Sequence, residues 1–120
     1  MTGGVTGRHA LLPIPIRLPN QPDFPVEFVV DTGYTDYLTL PPTAVAALNL
    51  PLLHRIPAAL ADDTTIEVSV HLATILWDGA ELEVPVLATG RRPLLGAALL
   101  EDFELIVQFR DGGLVTIDRI

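Results

Sequence analysis

One short run in this chain places a carboxylate, a hydroxyl and a glycine in a row. Asp31-Thr32-Gly33 follows the apolar pair Val29-Val30 and precedes another extended, largely apolar stretch. Asp, Thr and Gly are ordinary turn residues, so a plain turn is one interpretation. The other is chemical, because a carboxylate held at the end of a buried strand can accept or donate a proton in a reaction.

The remaining candidates for chemistry do not form a working arrangement. The three histidines, His9, His54 and His71, lack the i, i+4 spacing that places two metal ligands on one helix face, and there is no cysteine. Ser69, the only serine, lacks the surroundings of a nucleophile elbow. Asp62-Asp63 is typical of a solvated hairpin tip. We therefore expect no metal and no organic cofactor.

The composition limits the class of protein. A chain of 120 residues with 49% hydrophobic and 18% charged residues is expected to form a single globular domain, residues 1–120. A formal net charge of −8 argues against nucleic acid or an anionic membrane as the main partner. No apolar run approaches the ~18 residues of a membrane helix, and the first residues do not have the pattern of a signal peptide. The absence of cysteine suits a cytoplasmic location.

The elements that must position the triplet are mostly strands. Short β-branched and leucine-rich runs separated by glycine and proline predict an all-β fold, a small closed or rolled sheet with one or two short helices. A helix is predicted from Pro41-Pro42-Thr43 to Leu48, a shorter one at residues 97–101, and a tight hairpin turn at Asp78-Gly79. The predicted strands are residues 10–18, 24–30, 37–40, 52–60, 64–77, 81–88, 103–109 and 114–117.

Several motifs occur in an order that matches a known protein family. Leu94-Leu95-Gly96 lies about sixty residues after the triplet, and a hairpin-rich segment fills the interval. The matching segments are residues 29–35, 38–42, 61–62, 77–79, 93–96 with Leu99-Leu100, and 111–113. With these motifs the chain resembles the retropepsin-like aspartic proteases over nearly its whole length, and more narrowly the cellular branch of that family.

The resemblance implies an acid-protease (retropepsin-like) closed barrel lobe with Asp31 as the catalytic residue. Because the chain carries one triplet and cannot hold two lobes, the implied enzyme is a homodimer in which two Asp31 carboxyls activate a water that hydrolyses a peptide bond. Two carboxylates ~4 Å apart repel by ~4 kcal/mol at an effective dielectric of ~20, or about three pKa units between successive ionisations. One carboxyl of such a pair can therefore stay protonated as the acid while the other acts as the base.

The resemblance also implies supporting roles for neighbouring residues. Thr32 and Gly33, with Leu94, Leu95 and Gly96 behind the loop, would support the active site. The hairpin tip would form a mobile flap over a peptide or protein substrate, and its acidic residues would disfavour anionic peptides. The implied substrate-binding and flap residues are Tyr34, Thr35, Leu60, Ala61, Asp62, Asp63 and Thr64.

Some positions depart from the pattern of the viral members. Viral members often have a small residue at the position of Tyr34, an Asp at that of Thr35 and an Arg at that of Ala97. This chain therefore lacks both residues of the Asp–Arg pair. The bulkier Tyr34 would narrow the substrate groove. The C-terminal segment, residues 114–120, could pair within its own subunit or join a shared dimer sheet, as the termini of viral members do.

Two other interpretations of the triplet stay open. One is a catalytically silent retropepsin-like module that binds peptides or partners, and the other is a structural β-domain in which residues 31–33 are only a turn. A protease needs the dimer and the Asp31 carboxyl, a binding module needs the groove but not that carboxyl, and a structural domain needs neither.

Overall fold

The computed structural model describes all 120 residues and contains ten strands and two short helices. The all-β class with short helices is therefore confirmed. In chain order the elements are β1 (Thr2–Thr6), β2 (His9–Arg17), β3 (Phe24–Val30), β4 (Leu38–Leu40), α1 (Pro42–Ala47), β5 (Leu52–Ala59), β6 (Thr65–Trp77), β7 (Ala80–Ala88), β8 (Leu94–Leu95), α2 (Ala97–Leu100), β9 (Phe103–Val107) and β10 (Leu114–Arg119).

All ten strands belong to one sheet that closes on itself. The strand order is β5-β6-β7-β4-β8-β3-β2-β1-β10-β9, and β2 pairs in addition with β6. That extra pairing, Ile16 with Ile75 and Arg17 with Thr74, closes a ring of six strands: β2, β3, β8, β4, β7 and β6. The strands β1, β10 and β9 extend from β2, and β5 extends from β6, so the two edges of the sheet are β5 and β9.

The hydrophobic core lies inside this ring. Along β2 the side chains of Leu12, Ile14 and Ile16 alternate inward and are fully buried, whereas Pro13 points to solvent. Phe28 on β3 meets them from the next strand and is also fully buried. Each such side chain contributes ~1.5–3 kcal/mol through burial alone, so the inward alternation of β2 and β3 supports the strand end that carries Asp31.

Most predicted elements have their expected positions, with shifted ends. The turn at Asp78-Gly79 is present, with positive φ angles of 52° and 80°. Residue 60 belongs to the turn rather than to β5, and Tyr37 precedes β4 instead of starting it. The helix α2 ends at Leu100, because Glu101 has an extended ψ of 131°.

The sequence does not reveal β1, and it misplaces the ends of the last two strands. The segment Thr2–Thr6 contains two glycines and no apolar alternation, yet it lies between β2 and β10. Gly3 suits that place because a Cβ there would overlap the carbonyl oxygen of Leu11. The strand β9 ends at Val107, two residues before the predicted end, and β10 continues to Arg119.

Both ends of the chain are held within the chain itself. The Met1 amino group donates to the Ile117 carbonyl oxygen and the Ile117 N–H donates to the Met1 carbonyl oxygen, both at 2.9 Å. The Ile120 N–H donates to the Asp102 carbonyl oxygen at 2.9 Å. The C-terminal strand therefore pairs within its own subunit, between β1 and β9. Neither helix has the length and apolar character required to cross a membrane.

Candidate active site

Asp31 is the first residue after β3, and its backbone is fixed by the neighbouring strand β8. The two strands run parallel, with Val29 opposite Leu94 and Val30 opposite Leu95. The Asp31 N–H continues this pairing by donating to the Leu95 carbonyl oxygen at 2.9 Å. The position of the carboxylate is therefore set by a sheet hydrogen bond rather than by the loop that follows.

The triplet itself turns tightly around the carboxylate. The Gly33 N–H donates to Asp31 Oδ1 at 3.0 Å, and the Tyr34 N–H donates to the Asp31 carbonyl oxygen at 3.2 Å. A Cβ on Gly33 would lie 3.2 Å from Asp31 Oδ1, which is closer than side chains usually approach. A simple Asp turn makes the same type of bond, so this geometry alone does not separate a catalytic loop from a structural one.

The surroundings of the Asp31 carboxylate are more informative. The carboxylate is partly exposed, its hydrogen-bond partner is the Gly33 N–H, and it forms no ion pair. No cavity of the single chain is lined by Asp31. No group of three His, Asp or Glu side chains converges into a metal site anywhere in the chain. One chain therefore provides one oriented carboxylate on an open surface.

The loop from Asp31 to Tyr37 interlocks with the segment that follows β8. Gly96 is buried, and its N–H donates to the Tyr37 carbonyl oxygen at 2.7 Å. The Ala97 N–H donates to the Tyr34 carbonyl oxygen at 2.7 Å. A Cβ on Gly96 would overlap the Asp36 carbonyl oxygen and lie 2.8 Å from that of Tyr34. The backbone of Gly96 thus passes directly against the loop that carries the carboxylate.

Leu94 and Leu95 connect this crossing to the core. Leu95 is fully buried and lies opposite Leu38 of β4, while the half-buried Leu94 lies opposite Thr39. The short strand β8 therefore has β3 on one side and β4 on the other. The strands β3 and β4, which flank the loop at residues 31–37, both pair with β8, and this pairing fixes the two ends of the loop.

The hairpin of β5 and β6 ends in an exposed turn without glycine. The Leu60 N–H donates to the Thr64 carbonyl oxygen at 2.8 Å, and Asp63 adopts a positive φ of 66°. Asp62 Oδ1 accepts from the Thr64 hydroxyl at 2.6 Å and from the Thr64 N–H at 3.1 Å. These bonds, the hydroxyl first, lower the pKa of Asp62, so the tip carries a negative charge. No hydrogen bond or ion pair joins this tip to residues 31–37.

Comparison with solved structures identifies the architecture. A retropepsin-like aspartic protease from Rickettsia conorii superposes with a TM-score of 0.58, over 96% of this chain and 88% of its own. EIAV protease in complex with the inhibitor HBY-793 superposes with a TM-score of 0.57, over 80% of this chain and 88% of its own. The chain has the retropepsin-like fold. Each of the two is 17% identical to it in sequence. No family model and no curated protein matches the sequence.

Within this retropepsin-like fold, Tyr34 turns toward the protein. A Cβ on Gly96 would lie 2.7 Å from its ring, and its hydroxyl is enclosed without a hydrogen-bond partner. Burial, with the nearby negative charge of Asp36, raises the pKa of Tyr34 to about 12. Thr32 and Thr35 are exposed on the same loop. Where viral members often carry the Asp–Arg pair, the loop is joined to Ala97 by a backbone bond instead.

Two residues of this region were not predicted from the sequence. Asp36 holds its own loop, because Oδ1 accepts the Tyr37 N–H at 3.0 Å and its carbonyl oxygen accepts the Ala98 N–H at 3.2 Å. Thr39 is buried on β4, and its hydroxyl has no partner. The Ala98 contact uses a backbone carbonyl, which any residue type provides, so no sequence signal could have identified it.

Proposed function

We propose that this chain is an aspartic-type endopeptidase that acts as a homodimer. The observation that carries the proposal is the state of Asp31: its backbone is bonded to Leu95, its Oδ1 is oriented by Gly33, and its side chain is otherwise unpaired. The retropepsin-like fold supports it, since both superposed structures are described as proteases.

Because the chain carries one Asp-Thr-Gly triplet, the second catalytic carboxylate would come from another copy of the chain. In the dimer the two Asp31 carboxyls hold one proton and one water between them. The ionised carboxylate removes a proton from the water as its oxygen bonds to the peptide carbon, and the protonated carboxyl donates to the carbonyl oxygen. The C–N bond then breaks as the nitrogen takes up a proton, and an acid and an amine leave. No metal or organic cofactor is needed, because the protein supplies both acid and base.

The substrate would lie between this carboxylate pair and the β5–β6 hairpin, acting as a flap. Thr35 would border the groove at the loop together with the backbone of Tyr34, whose side chain turns toward the protein, and residues 60–64 would lie above it. Because Asp62 is ionised and Asp63 is beside it, the flap tip would repel anionic peptides and favour neutral or basic ones. A set of cleavage sites poor in Lys and Arg would contradict this part of the proposal.

The test is cleavage of a diverse peptide mixture between about pH 4 and 7.5 by the wild type and by Asp31→Asn. Asparagine keeps the size and the Gly33 hydrogen bond but cannot transfer the proton. We expect cleavage by the wild type, rising faster than linearly with enzyme concentration, and none by the variant. The matched control is Asp36→Asn, which removes a carboxylate from the same loop and retains the acceptor for the Tyr37 N–H.

Two outcomes would contradict the proposal. Equal cleavage by the wild type and Asp31→Asn would assign the activity to a contaminant or to another site. A folded dimer that binds peptides and cleaves none would instead support the silent peptide-binding module.

A further inference from the structure

Ser69 and His71 form a hydrogen-bonded pair on β6. They are two positions apart on the strand, so both side chains lie on the same face of the sheet. His71 Nε2 lies 3.0 Å from Ser69 Oγ, and His71 Nδ1 lies 2.9 Å from the Leu50 carbonyl oxygen. The distance between the imidazole and the hydroxyl is one over which a general base can take a proton.

The two partners of the imidazole fix the position of its proton. A carbonyl oxygen can only accept a hydrogen bond, so the neutral His71 ring carries its proton on Nδ1 and donates it to Leu50. Nε2 then holds a lone pair, and the Ser69 hydroxyl donates to it. A hydroxyl that faces a base, with the base oriented by a third group, is the arrangement of an activated nucleophile. Here the third group is a backbone carbonyl.

The Ser69–His71 pair opens into a cleft between β6 and the helix α1. The cleft has a volume of about 270 Å³, and both side chains line it. Its other walls are mostly apolar and include Val45 and Ala46 of α1 and Ala88 of β7. No carboxylate, lysine or arginine lines the cleft, so it suits a small ligand without charge.

One further polar side chain lines the same cleft. Asn49, just beyond α1, has a positive φ of 53°, and its side-chain amide has no hydrogen-bond partner within the chain. An amide N–H can donate to an oxygen on which negative charge develops during acyl transfer. The cleft therefore brings together a nucleophile, a base and a hydrogen-bond donor.

We propose that Ser69 and His71 form a second hydrolytic site, which cleaves small uncharged esters through an acyl-serine intermediate. In the first step Ser69 Oγ bonds to the ester carbonyl carbon as its proton passes to His71 Nε2. The bond from that carbon to the alcohol oxygen then breaks, and the alcohol takes the proton from His71. In the second step a water oxygen bonds to the acyl carbon as Nε2 takes a proton from the water. The bond to Ser69 Oγ breaks, Oγ regains the proton, and a carboxylic acid leaves.

This site is separate from the candidate active site around Asp31. None of the residues 31–37, 60–64 or 94–96 lines the cleft. The nucleophile, the base and the donor also come from one chain, so the site is complete in a monomer. Ester hydrolysis should therefore rise linearly with protein concentration, in contrast to the peptide cleavage proposed for the dimer.

The test uses a fluorophosphonate probe, which reacts with activated serines, and p-nitrophenyl acetate as the ester. Because Ser69 is the only serine, mass spectrometry assigns a serine label without ambiguity. We expect the wild type to be labelled at Ser69 and to hydrolyse the ester. Ser69→Ala, His71→Gln and the double variant should hydrolyse it about 100-fold more slowly than the wild type and at equal rates, because the two groups act as a unit.

Two further variants complete the test. Asn49→Gly removes the amide while glycine accepts the positive φ, and it should lower ester hydrolysis at least about tenfold. The matched control is His54→Gln, which removes an exposed imidazole on β5 that could attack the ester by itself. The control should leave the rate unchanged. Circular dichroism verifies that each variant remains folded.

Three results would overturn the proposal. The first is a folded wild type that takes no label at Ser69, and this result does not depend on the folding of any variant. The second is ester hydrolysis by Ser69→Ala at the wild-type rate. The third is equal labelling rates for the wild type and His71→Gln, since the hydroxyl would then react without its base.

Discussion

Gly96→Ala tests whether the crossing behind the Asp31 loop is as close as the structure indicates. Gly96 has a φ of −93° and a ψ of 172°, which any residue can adopt, so the cost of alanine is steric and not conformational. Its Cβ would overlap the Asp36 carbonyl oxygen, and the Tyr34 carbonyl oxygen would lie 2.8 Å away. Both are backbone atoms, which cannot rotate out of the way as a side chain can.

The expected loss of stability in Gly96→Ala follows from three contributions. Forcing a methyl group into a filled space costs ~1–3 kcal/mol. Moving the segments apart weakens the two 2.7 Å bonds from Gly96 to Tyr37 and from Ala97 to Tyr34, at ~0.5–1.5 kcal/mol each. Alanine recovers ~0.4–1 kcal/mol by restricting the unfolded chain. We expect a net loss of about 3 kcal/mol from a total stability of ~5–15 kcal/mol, so the variant should still fold.

The measurement is equilibrium denaturation in urea for the wild type, Gly96→Ala and Gly4→Ala. Gly4 is the matched control, because its added Cβ would meet nothing closer than the Gly113 carbonyl oxygen at 3.6 Å. That variant should be unchanged or more stable by up to ~1 kcal/mol. If the stability of Gly96→Ala lies within ~0.5 kcal/mol of that of the wild type, the backbone at Gly96 does not pass this close to the Asp31 loop. Peptide cleavage by Gly96→Ala should also fall under conditions in which the variant stays folded, because the Asp31 loop moves with the crossing.

Two further predictions concern buried hydroxyl groups. Thr39→Val removes a buried hydroxyl without a partner and should stabilise the chain by ~1 kcal/mol in the same urea assay, whereas the control Thr74→Val, at a half-buried position, should change it by less than ~0.5 kcal/mol; a loss of stability would mean that the Thr39 hydroxyl has a partner. The pKa of Tyr34 is raised from 10.0 to about 12 in the folded chain, so the stability present below pH 10 should be lost as the pH rises toward 12, because only the unfolded chain releases that proton. Tyr34→Phe should flatten this decline between about pH 9 and 11.5; equal slopes for the wild type and Tyr34→Phe would contradict the assignment.

Much of the fold could be predicted because its local signals agree with its tertiary structure. Three local signals each indicate one structure: the alternation in β2 and β3, the Asp78-Gly79 turn, and the proline at the start of α1. The folded chain adopts all three structures. The strand β1 could not be predicted in this way. Its glycines indicate a loop locally, and it becomes a strand only because β2 and β10 approach closely on both sides.

The candidate site was predictable in its residue types but not in its connections. The triplet and Leu94-Leu95-Gly96 stand out in sequence, and the structure brings their backbones together through Asp31 and Leu95. The bonds that Tyr37 and Asp36 make to the crossing use carbonyl oxygens, which every residue has. The path of the C-terminal strand was open because its pattern suits pairing in either subunit, and only the three-dimensional neighbours of β10 decide it.

The shape of the Asp31 loop is set within one chain, whereas the proposed site is complete only in a dimer. The bonds that fix Asp31, to Leu95 and Gly33, and the crossing at Gly96 all lie within one chain. A monomer would therefore already hold its carboxylate in place, and association would add the second carboxylate without folding a new segment. Little conformational entropy would then be lost when two chains meet, so a modest interface could suffice. Under this proposal, cleavage at low concentration depends on the fraction of chains that are dimeric and not on the state of each loop. Cleavage per chain should accordingly fall in dilute solution and recover as the protein is concentrated.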